Sequence, residues 1–244
     1  MSHLLEARAV TKRFGGLTAI QEVSFHLDQD EILGLIGPNG AGKTTLFNMV
    51  AGVYRPDSGD VWFDGERLSG RRPDEICKKG IARTFQIPKP FLKLTVLENV
   101  TVGAYFGSHQ RTRQSHAQRS AREVIERVGL KVKLGMQASQ LTLVERKRLE
   151  LARALATQPR VLLLDEVIGG LNPTETMGLI KTILEIRASG IAILMIEHVI
   201  KAVMKVSDRI LVLNYGKKLT EGLPKEIVNH PEVIQAYLGR TSYA

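Results

Sequence analysis

The stretch "GPNGAGKTT", residues 37–45, constrains this chain more than any other feature. It fits the pattern G-x-x-x-x-G-K-[ST] and lies between an apolar run, "EILGLIG", and a helical pattern. Its three glycines let the backbone curl, so that N–H groups and the helix N-terminus surround phosphate oxygens. We therefore predict a strand, a phosphate-binding loop and a helix, with Lys43 reaching the β- and γ-phosphates of a nucleotide and Thr44 ligating Mg²⁺.

A second apolar run, "VLLLDE", ends in two adjacent acids, Asp165 and Glu166. An acid at the end of a buried strand can help to hold Mg²⁺, and two neighbouring carboxylates repel each other without a cation. Glu166 is then the natural general base for a hydrolytic water. His198 ends the next apolar run, "IAILMIEH". A lone histidine is more often structural, but this position favours contact with a γ-phosphate.

Apolar strands alternate with helices along most of the chain, which predicts an α/β fold with a mostly parallel sheet. One connecting helix has clear start and stop signals: Asn172 precedes Pro173 and Glu175, and Gly190 follows its last turn. The predicted buried strands lie in residues 31–37, 161–166, 191–198 and 209–216.

Residues 87–157 break this alternation. They include a capping box at Thr95 and Glu98 and a helical pattern in "AREVIERVG", with no strand between them. A second Ser/Thr-x-x-Glu pattern, Thr142 to Glu145, stands before the charged helix "RKRLELARAL". The segment is predicted to be a helical insertion that packs on the main body.

The composition narrows the function classes. With 244 residues and 43% hydrophobic content, the chain can bury a sizeable core. The single Cys77 excludes an intrachain disulfide, the N-terminus lacks a secretory signal, and the longest apolar run is far short of the roughly 18 residues that span a bilayer. We expect a cytosolic protein. The net charge of +9 indicates an anionic partner, but the basic residues 109–122 lack aromatics and favour a solvated loop and helix start over a nucleic-acid patch.

From end to end the chain resembles an ATPase subunit of an ABC transporter. The matching motifs are "GPNGAGKTT", "RTFQ", "VLLLDE" and "IEH". The resemblance implies a P-loop NTPase of the ABC type with an N-terminal antiparallel β region, ATP and Mg²⁺ as cofactors, Phe14 stacked on adenine, and Gln86 at the catalytic and metal site. It implies one ABC domain over residues 1–244, with a core of about 1–86 and 158–244 and a helical subdomain of about 87–157. The residues expected to hold the nucleotide are Phe14, Gly37, Pro38, Asn39, Gly40, Ala41, Gly42, Lys43, Thr44 and Thr45.

Within the superfamily, the stretches "FGGLTAIQEVSF", "RTFQIPKPFLKLTVLENVTVGAYFG" and "GLNPTET" are most similar to LivG-type importers of branched-chain and other hydrophobic amino acids. That resemblance implies transmembrane permease subunits as partners, a second ABC ATPase subunit, an indirect solute-binding protein and no nucleic acid. It also implies a peripheral place on the cytoplasmic face of a bacterial or archaeal inner membrane. Prolines and the exposed-looking Phe91 and Leu92 in "IPKPFLKLTVLENV" suit a cleft that grips the permease, which we favour over the alternative that these apolar residues form the insertion's own core.

One motif departs from the family pattern. Where the family has a Ser-Gly-Gly-Gln type signature that closes over ATP on the partner subunit, this chain has Thr142, Leu143, Val144 and Glu145. Val144 obstructs close approach of the backbone to a γ-phosphate, and a carboxylate at 145 repels phosphate. The capping box is kept, which predicts a helix that forms but engages the partner's nucleotide, through Thr142 and Glu145, poorly.

Two functions therefore stay open. In the first, the chain hydrolyses ATP at its own site when a different partner polypeptide with an intact signature closes on it. In the second, it is a nucleotide-binding regulatory or structural half of an asymmetric dimer with little hydrolysis. The presence of both Glu166 and His198 favours the first. A DNA-maintenance ATPase would need a long coiled coil, and the sequence has no heptad run.

Overall fold

The computed structural model describes residues 3–107 and 113–238. The described residues divide into two compact units: residues 3–73 and 192–238 form the first, and residues 74–107 and 113–191 form the second. No helix in the described ranges has both the length and the apolar character needed to cross a bilayer. Residues 109–112 of the basic stretch predicted as a loop and helix start lie outside the described residues. From Gln114 onward the stretch is part of a helix.

The elements follow the predicted alternation of strands and helices. In the described residues the strands are β1 (Leu5–Phe14), β2 (Leu17–Leu27), β3 (Ile32–Ile36), β4 (Ser58–Phe63), β5 (Glu66–Arg67), β6 (Ile81–Arg83), β7 (Val161–Asp165), β8 (Ala192–Ile196), β9 (Arg209–Asn214) and β10 (Lys217–Gly222). The α-helices are α1 (Lys43–Val50), α2 (Pro73–Lys79), α3 (Val96–Phe106), α4 (Gln114–Arg127), α5 (Leu143–Leu155), α6 (Pro173–Ala188), α7 (Ile200–Val206), α8 (Pro224–Ile227) and α9 (Pro231–Leu238).

The first unit contains an antiparallel sheet in the order β2-β1-β4-β5, as expected for the N-terminal region. In β1 and β2, the apolar residues Val10 and Val23 are buried and pair across the strands, while Glu22 and Ser24 on either side of Val23 are exposed. One buried and one exposed face is the arrangement that alternating sequences favour in antiparallel sheets.

The same unit holds the strands that position the phosphate loop. β3 runs parallel to both β8 and β9, and β10 pairs antiparallel with β9. All five residues of β3 and all five of β8 are buried, which explains why both read as continuous apolar runs. The carboxyl end of β3 therefore leads directly into the glycine-rich loop and α1.

The second unit is built from the parallel pair β6 and β7 and from helices α2 to α6. In its described part, residues 87–107 and 113–157 form α3, α4, α5, two short 3₁₀ turns and one isolated bridge between Thr95 and Gln137. The proposed division into a core and a helical subdomain at residues 87–157 stays a prediction.

Three helices of this unit begin with the capping boxes that the sequence predicts. In each, the side-chain oxygen of the N-cap residue accepts from the backbone N–H three residues later. The glutamate at that later position accepts from the backbone N–H of the N-cap residue. Gly190 follows the end of α6 with a φ of 89° and donates its N–H to Arg187, as a C′ glycine does. The three pairs are Thr95 with Glu98, Thr142 with Glu145 and Asn172 with Glu175.

Candidate functional site

The phosphate loop is held in shape by its own lysine. The Lys43 ammonium donates to the carbonyl oxygens of Gly37 at 2.7 Å and Pro38 at 3.0 Å, and the side chain is buried. The N–H of Ala41 donates to Pro38 O at 3.1 Å. These bonds draw both ends of the loop around the lysine, so its positive charge sits at the centre of a curled backbone.

Two of the loop glycines are required by close contacts as well as by backbone angle. A Cβ on Gly37, whose φ is 156°, would come within 2.3 Å of the carbonyl oxygen of Leu213. A Cβ on Gly42, whose φ is 99°, would come within 2.6 Å of Ala19 O. Any larger residue at either position would push the loop away from β9 or β2.

The loop leads into a helix end that no side chain caps. Gly42 is the N-cap of α1, it has no side chain to accept a hydrogen bond, and the first turn carries no acidic residue. The backbone donors of a helix's first turn need acceptors from elsewhere. At this end the partial positive charge of the helix and Lys43 favour an anion.

Phe14 lies at the end of β1 in the same unit. Its ring is 43% exposed and meets Tyr54 edge-on, with the ring centroids 5.2 Å apart. The ammonium of Lys12 lies 5.6 Å from the Phe14 centroid. An exposed aromatic face supported from the side can stack on a base. Tyr54 was not singled out from the sequence, and only its place shortly after α1 hints at this role.

His198 also belongs to the first unit. It follows β8 by two residues and is exposed, whereas its neighbour Glu197 is buried. The strand therefore delivers the imidazole to its carboxyl end, as the sequence predicts.

In the second unit, β7 delivers the buried Asp165 to its own carboxyl end. The guanidinium of Arg83 donates to Asp165 Oδ2 at 3.0 Å. The backbone N–H of Asp165 donates to the hydroxyl of the fully buried Thr84 at 3.1 Å. Arg83 of β6 thus fixes the carboxylate of Asp165 and Thr84 fixes its backbone, and sequence reasoning missed both partners.

The adjacent Glu166 is paired with the predicted glutamine. The amide nitrogen of Gln86 donates to Glu166 Oε2 at 2.7 Å. Glu166 has a φ of 50°, a left-handed conformation that non-glycine residues rarely adopt. Such strain at a strand end is common where a side chain must be aimed. The structure therefore brings two of the predicted catalytic residues into direct contact.

A lysine from α5 anchors the loop that follows Glu166. The buried Lys147 donates to the carbonyl oxygen of Glu166 at 3.1 Å and to that of Gly169 at 2.5 Å. The helix carrying the altered signature and the loop after the acidic strand are consequently tied by one side chain. Sequence reasoning missed this contact because Lys147 reads as one cation among several in a charged helix.

The polar groups of the altered signature are hydrogen-bonded to one another. Thr142 N–H donates to Glu145 Oε2 at 2.9 Å, and Glu145 N–H donates to the Thr142 hydroxyl at 3.4 Å. The other carboxylate oxygen of Glu145 lies 2.7 Å from the ammonium of Lys133. The hydrogen bond from Lys133 is the main cause that lowers the pKa of Glu145, and Thr142 adds to it. Lys133, another residue that sequence reasoning missed, therefore balances the charge expected to repel phosphate.

The segment 87–93 presents apolar side chains from a backbone that is held in place. Ile87, Phe91 and Leu92 are between 47% and 71% exposed. Beneath them, the fully buried Asn99 of α3 accepts from Phe91 N–H at 2.8 Å and donates to Phe91 O at 3.0 Å. A buried amide bonded on both sides of one residue leaves that stretch little freedom.

A second anchor for this segment comes from α5. Arg153 donates to Lys89 O at 2.8 Å and to Glu150 Oε2 at 3.0 Å, and its guanidinium lies 4.8 Å from the Phe91 ring centroid. Burial raises the pKa of Glu150, although Arg153 and the Lys89 backbone oppose the shift. The exposure predicted for Phe91 and Leu92 is confirmed.

Known proteins resemble this chain in sequence. A sequence profile of the ABC transporter family matches residues 20–169, and one described as branched-chain amino acid ATP-binding cassette transporter matches residues 217–242. The high-affinity branched-chain amino acid transport ATP-binding protein LivG of Salmonella typhimurium is 44% identical, over 97% of this chain and 98% of its own. The corresponding BraF protein of Pseudomonas aeruginosa is 39% identical over the same shares.

Solved structures agree as well. The crystal structure of a nucleotide-free ATP-binding cassette from an ABC transporter has a TM-score of 0.88 and 29% identity, covering 97% of this chain and 99% of its own. An ATP-binding cassette in its ADP conformation has a TM-score of 0.89 and 29% identity, covering 98% of this chain and 100% of its own. The expected fold is confirmed, and the chain belongs to the ABC transporter family, as an ATP-binding cassette.

Proposed function

We propose that this chain is the ATP-hydrolysing subunit of an importer for branched-chain or other hydrophobic amino acids. The observation that carries the proposal is the acidic pair at the end of β7, in which Glu166 is hydrogen-bonded to Gln86 and Asp165 is fixed by Arg83. Similarity to LivG and BraF proteins over nearly the full chain supports the substrate class.

The nucleotide role is assigned to groups of this chain that suit it. The uncapped end of α1 and the buried Lys43 provide positive charge for the triphosphate. The exposed ring of Phe14 offers a stacking surface for the adenine base. We assign His198 to the γ-phosphate because it stands just after a buried parallel strand.

The proposed metal donors fit Mg²⁺ because all of them are oxygens. The Thr44 hydroxyl, the Asp165 carboxylate and the Gln86 amide oxygen are hard ligands, and Mg²⁺ prefers such ligands. When bound, Mg²⁺ neutralises charge on the β- and γ-phosphates. Asp165 contributes from a fixed position, since its backbone and side chain are both hydrogen-bonded.

Glu166 is the proposed general base. Its carboxylate takes a proton from the water that attacks the γ-phosphate, and the hydrogen bond from Gln86 Nε2 orients that carboxylate beforehand. Gln86 also opens the segment assigned to the permease, so a movement there would reach the base through one hydrogen bond.

The test of the base is Glu166→Gln, measured in the complex with its permease and partner ATPase. We expect ATP binding to persist and turnover to fall by about 10² to 10⁴, the usual worth of a positioned base. Glu123→Gln, at an exposed glutamate of α4, is the matched control and should hydrolyse normally. Normal turnover by Glu166→Gln would move the base elsewhere and favour a chain with a regulatory role.

The proposed docking surface for the permease is the segment 87–93. Its apolar side chains are exposed while Asn99 and Arg153 hold its backbone, so binding there costs little ordering entropy. In a Cys77→Ser background, Leu92→Cys should crosslink to the permease, whereas Val132→Cys, at a residue 93% exposed on the same unit, should not. Equal crosslinking from both positions, or none from Leu92→Cys, would remove this surface.

The proposed partner ATPase is a different polypeptide with an intact signature. The self-capped Thr142 and Glu145 support this, because their polar groups are engaged within the chain. The proposal places the chain on the cytoplasmic face of the membrane as a peripheral subunit. Co-purification from native membranes, with identification of the bound polypeptides, tests the assembly; recovery of this chain as its own sole ATPase partner would contradict it.

A further inference from the structure

Three side chains with metal-binding atoms meet where β1 begins and β2 ends. His3 Nδ1 lies 2.5 Å from Asp28 Oδ1, and His26 Nε2 lies 3.9 Å from Asp28 Oδ2. One ligand atom from each residue lies within 4.8 Å of the others. No other group of three or more His, Cys, Asp or Glu side chains converges in this way in the described parts of the chain.

The backbone holds this cluster together. Leu4 N–H donates to Leu27 O at 3.1 Å, which fixes the residue just before β1 beside the end of β2. Asp28 N–H donates to Glu31 Oε2 at 2.7 Å, and Arg209 donates to His26 O at 2.8 Å. The backbone positions of the three residues therefore follow from the sheet and its turn.

The spacing of the donors suits a four-coordinate ion after side-chain rotation. Bonds of about 2.0 to 2.1 Å in a tetrahedral site place neighbouring ligand atoms about 3.3 Å apart. The distance from His3 Nδ1 to Asp28 Oδ1 is below that value and the distance from His26 Nε2 to Asp28 Oδ2 is above it, each by less than about 1 Å. The two imidazole rings are stacked, with centroids 3.8 Å apart and planes 27° from parallel, so at least one ring must turn before both nitrogen lone pairs point at one ion.

Two carboxylates offset much of the positive charge nearest the cluster. Arg209 is the nearby positive group, and its guanidinium is bonded to Glu31 at 2.8 and 3.1 Å and also to Glu221. The carboxylate of Asp28 is therefore not needed to neutralise it. All three side chains of the cluster are between 37% and 54% exposed, so an ion can reach them from solvent.

We propose that His3, His26 and Asp28 form a binding site for a borderline divalent cation of the Zn²⁺ class. Two imidazoles and one carboxylate are a ligand set of zinc sites that keep a fourth position open to water, whereas Mg²⁺ and Ca²⁺ require mainly oxygen ligands. The bound ion joins His3, which precedes β1, to the end of β2. The site shares no residue with those proposed to bind and hydrolyse ATP, so it stands or falls independently of them.

The test is calorimetric titration of Zn²⁺ into the untagged, nucleotide-free chain, with Co²⁺ absorption as a second readout of the ligand set. We expect one strong Zn²⁺ per chain, and an affinity reduced by more than about tenfold in His3→Ala, His26→Ala and Asp28→Asn. His116→Ala, at an exposed histidine of α4, is the matched control and should titrate like wild type. Excess Mg²⁺ or Ca²⁺ should not displace the ion.

His3→Ala keeps the test decisive if a strand variant unfolds, because His3 precedes the first residue of β1. Circular dichroism of each variant checks the fold. Zn²⁺ titrations of His3→Ala and of His26→Ala that match wild type would overturn the proposal, as would a Co²⁺ spectrum that is unchanged when both histidines are replaced.

Discussion

The N-termini of α1 and α5 differ in how their backbone N–H donors are satisfied. α1 begins at a glycine in the left-handed region, with no side-chain cap and no acid in its first turn. α5 has Thr142 as its N-cap, whose hydroxyl and backbone are both bonded to Glu145. Backbone donors at a helix start must be satisfied by something. A cap from the helix's own side chains satisfies them permanently, and an uncapped start leaves that task to an anion.

The comparison indicates that a helix N-terminus is suited to a phosphate when it has no side-chain cap and no acidic residue in its first turn. α1 has no side-chain cap, and its first residue, Lys43, is buried against the loop carbonyls. α5 keeps its cap, and Lys133 neutralises the capping carboxylate. The same end of a helix is thus proposed to bind a ligand in one unit and contributes local stability in the other.

The largest effect is expected from removing the charge at the α1 end. Lys43→Ala should abolish ATP binding and ATP-dependent transport, because the lysine supplies the positive charge that the loop surrounds. Nucleotide binding measured by equilibrium dialysis and circular dichroism of the purified chain separate loss of binding from loss of fold. Lys181→Ala, at an exposed lysine of α6, is the control. ATP affinity equal to wild type in Lys43→Ala would contradict the assignment of phosphate binding to the N-terminus of α1.

A smaller effect is expected from making α5 resemble the family signature. Leu143→Gly, Val144→Gly and Glu145→Gln together should raise hydrolysis at the partner's phosphate loop, since backbone N–H groups could then approach a γ-phosphate. Each added glycine should also cost about 1 kcal/mol of helix stability. Single-turnover hydrolysis with each phosphate loop disabled in turn measures the two sites. If both sites of the wild-type complex hydrolyse equally fast, α5 engages the nucleotide despite its cap.

The cap itself should be worth about 1 kcal/mol. Thr142→Ala removes the hydroxyl that accepts from Glu145 N–H, a change that usually costs about 0.5 to 2 kcal/mol. Thr95→Ala removes the equivalent bond from α3 and is the matched comparison. Urea unfolding of both variants measures the losses. We expect similar losses of stability; a much smaller loss at Thr142 would mean that its hydroxyl is kept for the partner's nucleotide.

The smallest effect concerns pH. The pKa of Glu145 is lowered in the fold, chiefly by Lys133, so its contribution to stability is present above the ordinary glutamate value of about 4.3 and is lost as the pH falls through the lower folded value. Lys133→Met should therefore reduce stability at pH 7 and converge with wild type in acid. Thermal unfolding from pH 7 down to pH 3 measures this. A stability difference that stays constant across that range would show that Lys133 acts through packing alone.

Much of the site follows from sequence because its signals are local. The glycine loop, the apolar strands and the three capping boxes each depend on residues a few positions apart, whose spacing alone sets the geometry. The predicted sheet strands and the C′ role of Gly190 are confirmed for the same reason. The resemblance to ABC ATPases added Gln86 and Phe14, which no local pattern would have identified.

The sequence by itself determined where helices start, where buried strands end in acids and which loop is shaped for phosphate. Only the tertiary structure decided the partners of those acids: Gln86 bonds Glu166 across 80 residues, and Arg83 bonds Asp165 across 82. Lys133 and Lys147 likewise acquire their roles only in the folded chain. The physical reason is that a side chain's reach is a few ångströms, so contacts between residues distant in sequence exist only after strands and helices have packed.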